Sequence, residues 1–247
     1  MINNETIKRS PNVRSALTPR LLAIAEAAKN AKVLADIGTD HAYVPVYMCL
    51  ELGTEKAIAA DINKGPLERA EANIEKYGLG DRITTRLSDG LKKFEANDAD
   101  TVVIAGMGGT LIAKILEDSP QMKKEDISFV LQPMTAEEEL RRYLIENGYA
   151  IKDERLAREG EKLYTIITAE VGNNEAYAEV FLHVGKILFE KKDELLPLFL
   201  DKKINEFEKI VKGLLKASPS DERDEKMKYS SDILKELKSL KEGCDVW

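Results

Sequence analysis

Strand-length apolar runs recur along the first two-thirds of the chain: KVLADI (32–37), KAIAADI (56–62), ITTRLS (83–88), TVVIA (101–105) and ISFVLQ (127–132). Helical patterns fall between them, near 43–52, 64–77, 109–117 and 136–146. Another precedes them in TPRLLAIAEAAK (18–29), where Thr18 offers an N-cap, Pro19 the first helical position, and the body is rich in Ala and Leu. Short strands separated by helices predict an α/β fold with a parallel sheet covered on both faces, the doubly wound layout. YAIKDERLA and KLYTIITAEV flank REGE and predict an antiparallel hairpin over 149–171 at the sheet's edge.

Beyond GNN (172–174) no further strand is evident and a domain border is expected there. Tyr177, Val180, Phe181, Val184 and Leu188 form one helical stripe. Leu196, Leu200, Phe207, Val211 and Leu214 form a second, and Met227, Ile233, Leu234, Leu237 and Leu240 a third. Three-and-four spacing with charges between predicts long amphipathic helices packed as a hairpin or coiled coil, an all-α domain over 173–247. ASPSDERDE (217–225) is the expected connector, with Ser220 a cap for the last helix, and Pro197 belongs in a first turn or a kink.

In open α/β sheets ligands bind beyond the carboxyl ends of the strands, so the residues at those exits matter most. The first run delivers Asp36, Gly38, Thr39, Asp40 and His41; the second, Asp61, Ile62 and Asn63; the third, Ser88, Asp89 and Gly90. The fourth delivers Ala105, Gly106, Met107, Gly108 and Gly109, and the fifth Gln132, Pro133 and Met134. Gly38 permits close backbone approach, with an amide able to face a carboxylate or phosphate. Asp61 can accept both hydroxyls of a ribose, and Asp89 can accept from an adenine amino group. Each alone has an ordinary reading: D-x-G as a turn, Asp61 as a helix cap, SDG as a turn, GMGG as a tight turn. Their strand-by-strand register favours an adenosine cradle.

The loop DIGTDHAY then separates cofactors. A dinucleotide needs its pyrophosphate on a glycine-rich helix start, G-x-G-x-x-G, which is missing here. Asp36 and Asp40 would repel phosphate and suit the ammonium and sulfonium of S-adenosyl-L-methionine. For His41 a helix-start role and a functional one stand equal, and His183 fits packing within an apolar stripe. No metal-ligand spacing, P-loop or G-x-S-x-G occurs, so no metal is expected.

Composition adds boundaries. The chain has 247 residues, 43% hydrophobic and 33% charged, as for an ordinary globular protein. Its two cysteines, Cys49 and Cys244, suit a reducing compartment, and no bilayer-length apolar run or leader pattern is present; a cytoplasmic location without membrane contact is expected. A net charge of −7 opposes broad nucleic-acid binding. Yet Lys8, Arg9, Arg14 and Arg20 against Glu5 make the first segment basic, an RNA arm or a solvated terminus.

LTPRLLAIA, VLADIGTDHAYVP, AADINKGPL, SDGL, IAGMGG and LQPM, in that order, resemble the bacterial tRNA (adenine-22-N1)-methyltransferase family. The resemblance implies a Rossmann-like class I methyltransferase domain over 1–172 and a coiled-coil-like helical domain over 173–247. It implies S-adenosyl-L-methionine contacts from Asp36, Gly38, Asp40 and His41, ribose and adenine contacts from Asp61 and Ile62, and an adenine-edge contact from Asp89 and Gly90. Ala105, Gly106 and Met107 would face the methyl-transfer region, and Arg20 would meet the methionine carboxylate or an RNA phosphate.

Adenine N1 carries an in-plane lone pair, so alignment and water exclusion are the main catalytic needs. Asp40 is the candidate for electrostatic help and Gln132 for the base edge, with the Met107–Gly109 surface receiving a flipped adenine. Lys202, Lys203, Lys209, Lys212 and Lys216 are candidates to grip the tRNA body, against the reading of solvated coiled-coil charges. A monomer is expected. The competing readings are a methyltransferase for another RNA position or a small molecule, and a non-catalytic coiled-coil adaptor.

Overall fold

The computed structural model describes residues 13–244; Lys8, Arg9 and Glu5 of the basic segment lie outside them. In chain order these fold as α1 (Pro19–Ala27), β1 (Val33–Ile37), α2 (Tyr43–Glu51), β2 (Lys56–Asp61), α3 (Lys64–Lys76), β3 (Ile83–Leu87), β4 (Thr101–Met107) and α4 (Gly109–Glu117). Then come β5 (Ser128–Pro133), α5 (Glu137–Glu146), β6 (Tyr149–Glu159), β7 (Lys162–Val171), α6 (Glu179–Val184), α7 (Lys186–Glu190), α8 (Leu196–Lys216) and α9 (Asp221–Cys244). The strands hydrogen-bond in the order β3-β2-β1-β4-β5-β7-β6. β1 pairs in parallel with β2 and β4, β2 with β3, and β6 with β7 antiparallel. The doubly wound sheet with an antiparallel edge hairpin is therefore what forms. β1, with β2 on one side and β4 on the other, is the point where the strand order reverses and a ligand crevice opens.

The described residues group into two compact units, 13–106 with 115–130, and 107–114 with 131–244. The change of element type comes elsewhere, at the end of β7. In the first unit Leu34, Ala35, Ala59, Ala60, Val102, Val103 and Ile104 are fully buried, as strands covered on both faces require. Thr18 caps α1 by accepting the Leu21 N–H at 3.4 Å, and Pro19 begins the helix.

In the second unit, Leu156 and Leu163 of the hairpin pack with Leu188, Phe199, Leu200, Phe207, Ile233 and Leu237 of the helices. The stripe over 177–188 is not one helix: Gly185, at φ +84°, divides α6 from α7. The reason lies in a wholly buried ion pair, Arg141 Nε to Glu154 Oε1 at 2.8 Å. Buried charges need further hydrogen bonds. The break releases the Leu182 carbonyl, which accepts from Arg141 Nη1 at 2.7 Å, and the Ile187 N–H, which donates to Glu154 Oε2 at 3.1 Å. An unbroken helix would consume both groups internally. A Cβ on residue 185 would also lie 2.6 Å from the Glu154 carboxylate oxygens.

α8 carries Pro197 in its first turn, and Ser220 caps α9 by accepting the Arg223 N–H at 3.1 Å. The connector is thus only 217–220, because DERDE already belongs to α9. α8 and α9 form a helical hairpin tied by Lys238–Glu208 at 2.7 Å and Lys241–Asp201 at 2.8 Å. His183 packs edge-on against Phe207, as the stripe suggested, and also hydrogen-bonds Tyr229 at 2.8 Å.

Candidate functional site

At the exit of β1 the chain turns sharply. Gly38 adopts φ +76°, and the N–H groups of Gly38 and Thr39 donate to the Ala60 carbonyl at 2.8 and 2.9 Å. The sequence suggested an amide turned towards a ligand; instead that amide is committed to the rim between β1 and β2. The glycine's contribution is the left-handed turn itself.

Behind this turn Arg20, Asp36, Gly38, Thr39, Asp40, Tyr43, Ala105 and Gly106 line a cavity of about 320 Å³. Asp36 is 8% exposed. Burial pushes its carboxyl up to about 6, and the Asp61 carboxylate adds to the effect. The Thr39 hydroxyl offsets part of it, yet Thr39 Oγ1 is buried without a well-formed hydrogen bond. A buried carboxyl whose charge is disfavoured by burial, beside a hydroxyl without a well-formed hydrogen bond, fits a polar, cationic ligand that would stabilise the ionised form. Gly106 closes one wall at φ +78°, where a Cβ would stand 3.8 Å from an Arg20 guanidinium nitrogen. The LTPRL arginine is thereby brought to the cavity.

His41 and Ala42 continue the loop in left-handed backbone, φ +62° and +51°, although neither is glycine. Such strain persists only where neighbours enforce it. Two side chains of α3, one helical turn apart, do so. Asn73 Nδ2 donates to the His41 carbonyl at 2.7 Å, and Arg69 donates twice to Asp40 Oδ1, at 3.0 and 2.8 Å. The His41 ring stacks on Tyr43 with centroids 5.2 Å apart and lies 3.7 Å from Asp40. Arg69 and Asn73 escaped the sequence reading because helical spacing shows that they share a face without showing what that face meets.

At the β2 exit Asp61 Oδ1 accepts the Asn63 N–H at 2.7 Å, so Asp61 shapes an Asx turn and Asn63, not Asp61, occupies the N-cap position of α3. Ile62 is 59% exposed and Leu87, at the β3 exit, is 38% exposed. Exposed apolar surface beside carboxylate acceptors suits the face and edges of a purine. Ser88 is buried, donating to the Gly90 carbonyl at 2.8 Å and accepting the Lys93 N–H at 3.3 Å. Asp89 is exposed and paired with Lys92 at 2.5 Å. Gly90, at φ +56°, is packed so that a Cβ would lie 3.0 Å from Ile115. Ser88 and Gly90 build the turn; Asp61, Ile62 and Asp89 present the groups.

In the second unit Met107–Gly109, the remainder of GMGG, is more closed than expected. The Met107 carbonyl accepts the Met134 N–H at 2.7 Å and the Gly109 N–H donates to the Thr135 carbonyl at 2.8 Å. A Cβ on Gly109 would stand 2.1 Å from the Ala136 carbonyl oxygen. Gly109 is where two backbones meet, and it offers no open surface for a base. Gln132 is also fully buried, its Nε2 donating to the Pro133 carbonyl at 2.6 Å. In this conformation it braces the β5 exit and presents no amide to an incoming base. Among the lysines, Lys203 is 6% exposed and held by Glu137 and Glu206, each at 3.5 Å, so it is not on a tRNA-gripping face; Lys202, Lys209, Lys212 and Lys216 are exposed. Among the described residues no three His, Cys, Asp or Glu side chains gather as a metal site, and no helix is long and apolar enough to cross a membrane.

A sequence family described as "Methyltransferase domain" matches residues 17–167. The Bacillus subtilis tRNA (adenine(22)-N(1))-methyltransferase is 34% identical over 229 residues, covering 91% of this chain and 96% of the relative. The crystal structure of the B. subtilis m1A22 tRNA methyltransferase TrmK superposes with a TM-score of 0.83 at 32% identity, over 91% of this chain and 98% of that one. TrmK of M. capricolum, solved with the cofactor product S-adenosyl-homocysteine, gives 0.72 at 29% identity, over 93% and 98%. With the strand-exit acids in place and matches of this extent, the chain belongs to the TrmK family of tRNA (adenine(22)-N(1))-methyltransferases.

Proposed function

We propose that this chain methylates N1 of adenine 22 in tRNA, using S-adenosyl-L-methionine. The observation that carries the reading is the β1 cavity, with Asp36 and an unsatisfied Thr39 hydroxyl, in a chain of this family. The cofactor supplies a sulfonium methyl that a neutral ring nitrogen can accept without prior deprotonation.

The chain's own residues bind and align. Asp36 and Asp40 supply negative charge for the cationic end, and Arg20 faces its carboxylate. Asp61 and Asn63 serve the ribose, Ile62 the adenine face and Asp89 the adenine edge; Ser88 and Gly90 hold that turn in shape. Ala105, Gly106 and Met107 border the transfer region. Asp40 lends electrostatic help to the adenine as it becomes cationic, with Arg69 and His41 fixing its position. Residues 1–172 carry the cofactor and 173–247 meet the tRNA body through Lys209, Lys212 and Lys216.

Labelled methyl transfer to a tRNA transcript tests this reading. Label should enter a transcript with adenine at position 22 and not the same transcript carrying guanine there. Equal labelling of both would favour another RNA position.

A further inference from the structure

We propose that a second cavity, at the end of β5, holds one nucleobase of the tRNA with its adjoining phosphate. It has a volume of about 290 Å³ and lies wholly within the second unit, where Met134 meets Lys162, Leu163 and Tyr164 of β7 and Lys202 of α8. This rests on the tRNA reading above and extends it to a recognition site.

The floor is apolar and set in place. Met134 is 42% exposed, unusual for a large thioether in a strand-end loop, and its sulfur receives the Gln132 Nε2 at 3.6 Å. Its loop is fixed from below by the Gly109–Thr135 hydrogen bond and by Ala136 in left-handed backbone at φ +55°. Leu163 is 8% exposed and anchored in the helical core, and the half-buried Tyr164 follows it on the strand. Met134 and Tyr164 both line the cavity, and a polarisable thioether with an aromatic residue offers surface on which any base can stack.

The rim is cationic in effect. Lys162 is exposed and makes no ion pair among the described residues, and Lys202 has only a 3.9 Å contact with Glu206. The acid on the wall, Glu137, is neutralised by Lys203 at 3.5 Å, and Glu161 is 98% exposed and 3.7 Å from Arg158. Two available ammonium groups over an apolar floor match a phosphate joined to a base, a pairing typical of single-stranded or flipped nucleotides.

The test uses the full chain with Lys162→Ala, Met134→Ser, Tyr164→Ala and Tyr164→Phe, measuring KM for tRNA and affinity for S-adenosyl-L-methionine separately. Lys162→Ala should weaken tRNA and flatten the salt dependence of binding by about one charge. Met134→Ser and Tyr164→Ala should raise KM for tRNA about tenfold each, while Tyr164→Phe, which keeps the ring, stays near wild type. Cofactor affinity should not move. Because Tyr164 is half-buried, a Tyr164→Ala protein that also lost cofactor binding would be set aside as misfolded, and the exposed Lys162 and Met134 variants decide. Wild-type KM for tRNA in both of those would overturn the proposal. Failure of the wild-type chain itself to methylate tRNA would instead overturn the functional reading.

Discussion

Arg69 on α3 donates both Nε and Nη2 to one oxygen of Asp40, at 3.0 and 2.8 Å, across the loop that follows β1. Both side chains are about half-exposed or more, at 48% and 63%, so the pair adds little stability, under about 1 kcal/mol. Its role is to aim the carboxylate. Arg69→Ala should therefore leave the melting temperature nearly unchanged and raise KM for S-adenosyl-L-methionine several-fold. An unchanged KM would remove Arg69 from the cofactor loop's support.

Asp36 carries a pH dependence whose sign is fixed by its raised pKa, from 3.8 to about 6. The native state holds this proton more tightly than the unfolded chain, so the contribution to stability is present below about pH 4 and lost as pH rises through about 6. Asp36→Asn should then stabilise the ligand-free protein at pH 8, by at most about 3 kcal/mol, while abolishing cofactor binding. In the wild type, affinity for the cationic cofactor should fall as pH drops through about 6. Calorimetric titration from pH 5 to 8 checks this.

Much of this fold was legible in the sequence because apolar runs, Thr18-Pro19 and the REGE turn are local signals with local causes. The Gly185 break was not. The stripe from Tyr177 to Leu188 has correct helical period, and what divides it is a buried Glu154 contributed by a strand distant in sequence. The site divides in the same way. Asp36, Asp61 and Asp89 were visible because strand exits can be read along the chain. The commitment of the Gly38 amide, the burial of Gln132 and the closure of Gly109 against Ala136 depend on which backbones meet.

Arg141 and Glu154 give a test of that buried pair. Arg141→Met should cost about 3–5 kcal/mol, since it strands a buried carboxylate. The double variant Arg141→Met with Glu154→Leu should cost less than Arg141→Met alone. Chemical denaturation of the three proteins measures the coupling, and simple additivity would contradict it.

Gly109 should tolerate no side chain. Gly109→Ala places a carbon 2.1 Å from the Ala136 carbonyl oxygen, and a loss of about 3 kcal/mol or more is expected. A variant as stable as wild type would show that the two loops separate readily.

Removing residues 174–247 outright would be a poor test of tRNA binding, because it deletes the Leu182 and Ile187 backbone groups that satisfy the buried pair. Charge reversal of the exposed Lys209, Lys212 and Lys216 is cleaner. The triple Glu variant should bind tRNA at least tenfold more weakly with a shallower salt dependence, and bind the cofactor as before.

The most direct test is to map the product. Bulk or transcribed tRNA treated with the pure protein and S-adenosyl-L-methionine is digested and sequenced by mass spectrometry. A single added methyl on the base at adenine 22, on N1, is the predicted result. Methyl groups confined to any other nucleotide, or none at all with the cofactor bound, would contradict the account.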